Sequence, residues 1–233
     1  MGASAKKNKQ YGMDLTRGPE QKVLLRFAFP FLVSSIIIAL YGAVDMFVIS
    51  YFTSEEIISG VSTGTMVLAI ISTFIVGITT GGTVLVGCKT GEKDNEGCAR
   101  AAGTLMTAGL IMGIALTIAV YETLEPFLNV LFTPEAAMPS ARVYIKLVAI
   151  GIPFNVGFNI ISAIARGLGN SMVPSVIGSI GGALNIALDL IFVGIFGMAA
   201  DGVAIATTVS QIVAFVIIGV WLLKRKFPFK FTK

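Results

Sequence analysis

Two carboxylates dominate the chemistry this chain could perform. Asp45 and Asp189 are the acidic side chains set well inside runs apolar enough to cross a bilayer. An Asp at mid-span costs about 2.5–3.5 kcal/mol on insertion scales, so each needs a reason to be there. Asn185 stands one helical turn before Asp189 on the same face. At about 1.5 Å per residue, Asp45 lies about 10 Å below Phe52, Asp189 about 10 Å below Phe196, and Thr207 about 8 Å into the last run. The four share one layer if their helices are neighbours. Two acids in a poorly solvated site can keep a proton near neutral pH, or coordinate Na⁺ together with the amide and hydroxyl oxygens. The plainer alternative is a structural ion pair, but every Lys and Arg falls at a span end, which leaves no cationic partner at that depth.

Weaker candidates surround this set. Tyr41, one turn before Asp45, can hydrogen-bond it or simply pack. Asn155 and Asn159 are spaced to share a helix face, either lining a polar cavity or bonding to another helix. Histidine is absent, which removes Ser-His and Cys-His catalysis. Cys88 and Cys98 fit no zinc pattern and read as free thiols. No enzyme activity, cofactor or metal is expected, apart from Na⁺ at the coupling residues. The run Arg166-Gly-Leu-Gly-Asn170-Ser171 is glycine-rich like a phosphate cradle, but no strand precedes it and it reads as a tight turn.

The elements that must hold these residues are helices in a membrane. Of 233 residues, 55% are hydrophobic and only 13% charged, and mean hydropathy is +0.87, which excludes a water-soluble globule. Six apolar segments span roughly 24–52, 57–88, 101–121, 141–164, 174–196 and 202–223. The fold class is therefore an all-α integral membrane protein, a six-transmembrane-helix bundle. Residues 23–223 form the bundle, and 1–22 and 224–233 are basic tails. The first apolar run is too long for a signal-peptide core, and Lys6 spoils a myristoylation match.

Lys22, Arg26, Lys89, Lys93, Arg100, Arg166 and Lys224 fall on one side of the bundle with the basic tails, while the other side has only Arg142 and Lys146 beside Glu55, Glu56, Glu122, Glu125, Glu135 and Asp201. The basic side is expected in the cytoplasm, so both termini are inside a plasma-membrane, multi-pass protein. The net charge of +4 then marks membrane flanks and contact with lipid, not nucleic acid. Pro30 and Pro153 fall inside spans and favour kinks. Glycines such as Gly77, Gly81, Gly82, Gly178, Gly181 and Gly182 are expected to serve close helix packing.

Three runs in this order carry a resemblance. Tyr41-Gly-Ala-Val-Asp45, the loop from Arg166 followed by Pro174, and Asn185-Ile-Ala-Leu-Asp189 leading to Gly202-Val-Ala-Ile-Ala-Thr207-Thr-Val-Ser-Gln211 resemble the multidrug and toxic compound extrusion (MATE) transporters, in their DNA-damage-inducible F-like branch. The resemblance extends from about Leu24 to Leu223. It implies cation-coupled efflux of organic cations and other amphipathic drugs, driven by H⁺ or Na⁺. It places cation coupling on Asp45, Asn185, Asp189 and Thr207, and a bending proline at Pro30. MATE transporters contain two six-helix bundles, whereas this chain resembles the amino-terminal one. The implied partners are small-molecule drugs and either a carboxy-terminal lobe or a second copy. Alternative expectations are a lipid or polysaccharide flippase of the wider superfamily, disfavoured by the lack of an intramembrane Lys or Arg, and an inactive half that serves assembly.

Overall fold

The computed structural model describes residues 19–224; the side chains of Ile38, Tyr41 and Asp45 lie outside the described set. Within it the chain forms seven α-helices: α1 (Glu20–Phe52), α2 (Glu55–Gly91), α3 (Asn95–Val130), α4 (Met138–Ala149), α5 (Ile152–Gly167), α6 (Met172–Asp189) and α7 (Ala200–Lys224). A 3₁₀ turn, Glu135–Ala137, leads into α4, and a π-helical stretch, Leu190–Ile195, prolongs α6. Five of the helices are long and apolar enough to cross a membrane, and the bent pair α4–α5 makes a sixth span. The described bundle overlaps residues 1–22 of the expected tail, because α1 already begins at Glu20. The rest of both tails, 1–18 and 225–233, lies outside the described residues.

Local chemistry sets most of the boundaries. Glu55 and Glu56 occupy the first turn of α2, where the helix dipole favours negative charge. Asp94 caps α3 by accepting the Gly97 N–H at 2.8 Å. Between α5 and α6 the chain closes in a Schellman turn: Asn170 N–H bonds to Ala165 O at 2.9 Å, Gly169 N–H bonds to Arg166 O at 2.9 Å, and Gly169 takes a left-handed φ of +83°. Asn170 Oδ1 then accepts from Val173 N–H at the start of α6. The Gly169, Asn170 and Val173 amides are thus spent on closing the loop's own helices, and the tight turn expected from the sequence stands.

Two boundaries differ from the sequence reading. α3 runs on through Pro126 to Val130, so much of the connection expected after residue 121 is helical. The fourth span is broken, with α4 and α5 meeting at 47° around Ile150 and Gly151. Pro153 is the cause: it sits in the first turn of α5, has no N–H, and cannot continue the α4 ladder. Bare carbonyls are costly at bilayer depth, and neighbouring helices satisfy them. Thr117 on α3 donates to Ala149 O at 3.4 Å, Tyr121 to Lys146 O at 2.8 Å, and Thr208 on α7 to Leu147 O at 3.1 Å.

The core lies among α2, α3, α4, α5 and α7, with Val61, Val86, Val148, Val156, Ile164 and Val203 fully buried. α1 is held chiefly by α6 and the π stretch. Ser34 Oγ reaches Ser175 O at 3.2 Å, and Ser171 Oγ reaches Phe27 O at 2.8 Å. Glycine packing proves selective. A Cβ on Gly82 would meet Leu105 at 2.6 Å and one on Gly181 would meet Ala214 at 3.2 Å, whereas Gly77 and Gly81 have nothing within 4 Å.

Candidate functional site

The site is organised by α6. Its apolar, small-residue stretch lets neighbours approach closely, and Asn185 and Asp189 follow one another by a turn near its end. α6 packs against α1 on one side and α7 on the other. These are the helices of Asp45 and Thr207. The α1 contact continues past Asp189, where a Cβ on Gly194 would touch the Phe52 ring at 3.5 Å.

Asp189 is fully buried, at 0% exposure. Asn185 is half-buried, and its Nδ2 is sealed from solvent with no hydrogen-bond partner among the described residues. A sealed amide donor is costly unless an acceptor or water reaches it, which marks the position as polar. Thr207 is half-buried on α7, and its carbonyl accepts from Ser210 Oγ at 2.8 Å. Tyr41 and Asp45 stand one turn apart on α1; their side chains lie outside the described residues. Asn155 and Asn159 are half-buried and turn to each other: Asn159 Nδ2 donates to Asn155 O at 2.9 Å and to its Oδ1 at 3.1 Å. That bond runs along α5, not across to another helix. Pro30 lies inside α1, which continues through it.

Two features escaped the sequence reading. The backbone widens into a π-helix directly after Asp189, with Phe196 N–H reaching back five residues to Ile191 O at 3.0 Å. Such turns often mark functional positions, and only Gly194 and Gly197 hint at it in the sequence. Gln211 lies one turn beyond Thr207, and its buried Oε1 has no hydrogen-bond partner among the described residues. It is wedged against the broken span, since a Cβ on Gly151 would stand 2.4 Å from that oxygen. A Gln eleven residues into an apolar span was the available signal.

Carboxylate, amide and hydroxyl oxygens are hard donors, suited to a proton or an alkali cation and not to a soft metal. Among the described residues no three or more His, Cys, Asp or Glu side chains come together. A separate apolar cavity of about 160 Å³ lies between α2, α3 and α4, lined by Val67, Ile71, Val120, Leu124 and Ile145 among others. It presents no charged group and is distinct from the α6 site.

A family model described as MatE matches residues 30–191. The chain belongs to the MatE family. Its family is one of transporters, not enzymes, and the fold agrees. The chain is 26% identical over 221 residues to the probable multidrug resistance protein YpnP of Bacillus subtilis, covering 94% of this chain and 50% of that protein. It is 23% identical to the multidrug export protein MepA of Staphylococcus saprophyticus, covering 88% and 45%. Among solved structures, an outward-facing multidrug resistance MATE family transporter of the MOP superfamily superposes with a TM-score of 0.88 at 26% identity, over 95% of this chain and 49% of that one. The chain thus spans about half the length of the relatives it matches, the extent of one lobe.

Proposed function

We propose that this MatE-family chain is the amino-terminal lobe of an antiporter that exports organic cations and amphipathic drugs, coupled to the inward flow of H⁺ or Na⁺. The observation that carries the reading is the complete burial of Asp189 on α6, between the helices that bear Asp45 and Thr207. A carboxylate sealed in a membrane bundle is expensive, and binding and releasing a cation gives it a use. Asp45 and Asp189 are the cation carriers in this reading, with Asn185 and Thr207 as supporting ligands and Tyr41, Asn155 and Asn159 on the cavity wall. Pro30 permits α1 to bend. The path lies between this lobe and a carboxy-terminal lobe or a second copy, as in transporters built from parallel repeats.

The proposed setting is the plasma membrane with both termini in the cytoplasm. The start of α1, the end of α2, the start of α3 and the ends of α5 and α7 share one end of the alternating bundle, and they carry Lys22, Arg26, Lys89, Lys93, Arg100, Arg166 and Lys224.

The test is ethidium efflux from cells that express the protein, with Asp45→Asn and Asp189→Asn beside the wild type. Both variants are expected in the membrane at normal abundance with gradient-driven efflux abolished. Wild-type coupled efflux by both neutral variants refutes the assignment. No protection by the wild type favours the assembly-only alternative.

A further inference from the structure

One guanidinium in this bundle is half-buried with no carboxylate beside it among the described residues. Arg166 closes α5, and a cation at a span end normally extends its stem outward and leaves its head in water. Here the level of the loop is marked by the bond from Ser171 Oγ to Phe27 O. Phe31 lies one turn further along α1, and its side chain leans back toward that level. The Arg166 guanidinium carbon stands 6.0 Å from the centre of the Phe31 ring, so its head lies against α1. It is half-buried there, and among the described residues no carboxylate pairs with it. The other basic side chains without a carboxylate partner among the described residues, Lys22, Arg26, Lys93, Arg100, Lys146 and Lys224, are exposed, and the remaining two are paired. Arg142 makes a two-pronged pair with Glu125 at 2.7 and 2.8 Å, and Lys89 lies 2.7 Å from Glu92 and 3.7 Å from Asp94.

A guanidinium stays charged, so this fork of donors calls for an oxyanion. The Gly169, Asn170 and Val173 amides of the turn are already used to close α5 and cap α6. The surroundings define the ligand instead. Phe31 is 49% exposed, and Leu24, Leu25 and Leu32 beside it on α1 are more exposed still, which is an acyl-facing surface. Lys22 and Arg26 stand exposed on the same end of α1, adding positive potential at headgroup depth. The partner must be anionic at its head and apolar below it.

We propose that Arg166 and Phe31 form a binding site for an anionic phospholipid, with the phosphodiester on the guanidinium and the acyl chain against α1. The site is separate from the α6 carboxylate and does not depend on the transport reading. It would fasten α1 to the α5–α6 turn through a lipid, beside the direct Ser171 bond.

Native mass spectrometry of the full chain in neutral detergent, titrated with phosphatidylglycerol or phosphatidylcholine, tests this. The wild type is expected to retain phosphatidylglycerol in preference to phosphatidylcholine. Arg166→Gln should lower the phosphatidylglycerol affinity about tenfold, a typical loss for one charged two-pronged contact, with phosphatidylcholine binding unchanged. Arg166→Lys keeps charge without the fork, so it should fall between, and it decides the matter if the Gln variant fails to fold. Lys22→Gln with Arg26→Gln should cost less than Arg166→Gln. Undiminished phosphatidylglycerol retention in both Arg166 variants overturns the site. Equal competition by glycerol 3-phosphate shows a small-anion site and overturns the lipid. A wild type with no phosphatidylglycerol preference overturns the proposal as well.

Discussion

Replacing Gly60 with Ala puts the packing of the bundle to a quantitative test. A Cβ at Gly60 would stand 2.8 Å from Ala137 O, Ala141 N and Ser140 Cβ. Two of those atoms are backbone, so no rotamer change relieves the contact; α2 and the start of α4 must separate by roughly 0.6 Å to restore an ordinary carbon contact. Overpacking of this kind costs about 1–3 kcal/mol, and the better helix propensity of Ala returns about 0.5–1 kcal/mol, leaving a net loss of about 1–2 kcal/mol. Gly77, on the same helix, has nothing within 4 Å of its would-be Cβ, so Gly77→Ala should keep the propensity gain alone. Thermal unfolding in a fixed detergent reads both. At about 2–4 °C per kcal/mol for a chain of this size, Gly60→Ala should lower the midpoint by about 2–8 °C, and Gly77→Ala should leave it unchanged or raise it slightly. Equal shifts of the same sign in the two variants would refute the argument that α2 is seated by glycine at Gly60.

Thr208→Val removes the hydroxyl that reaches Leu147 O, but that carbonyl also accepts from Ile150 N–H, so the expected loss is about 0.5–1 kcal/mol in a denaturant titration. A loss above about 2 kcal/mol would mean the latch carries more than one hydrogen bond. Asp94 is held below the ordinary aspartate value of about 3.9, mainly by the Gly97 N–H and further by Lys89 and Arg100. Its depressed value means that its stabilising effect is present above that ordinary value and fades as pH falls through the folded one. Unfolding midpoints should therefore drop for the wild type below about pH 4, and Asp94→Ala should start lower at neutral pH and show a weaker acid dependence. Parallel pH profiles would remove Asp94 as a cap of consequence.

Much of the architecture could be read from residue patterns because the bilayer leaves few alternatives. Apolar runs as long as 24–52 or 202–223 can only be spans, and a Gly placed before Asn170 announces the turn that closes α5. What could not be read depends on which residues meet. Nothing local distinguishes Gly77 from Gly60; the difference lies in the partner helix. Pro30 and Pro153 look equivalent in the sequence, yet α1 runs on through Pro30 while the fourth span breaks at Pro153, where Thr117, Tyr121 and Thr208 stand ready to take the bare carbonyls. The place of Asn185 and Asp189 one turn apart on one helix was legible because they follow helical spacing. The π stretch that follows Asp189 breaks the regular helical count, and no spacing of residue types announces it.

The carbonyl latches at the broken span also bear on stiffness. Straightening the α4–α5 elbow would mean surrendering bonds from α3 and α7 together, so the elbow behaves as a splice, a rigid corner and not a joint. Compliance must reside where fewer helices hold on. α1 hangs chiefly on α6 and the π stretch. Its ties are the two serine bonds at Phe27 and Ser34 and the contact of Phe52 with the π stretch, so α1 is stitched along one seam while the elbow is clasped from two sides.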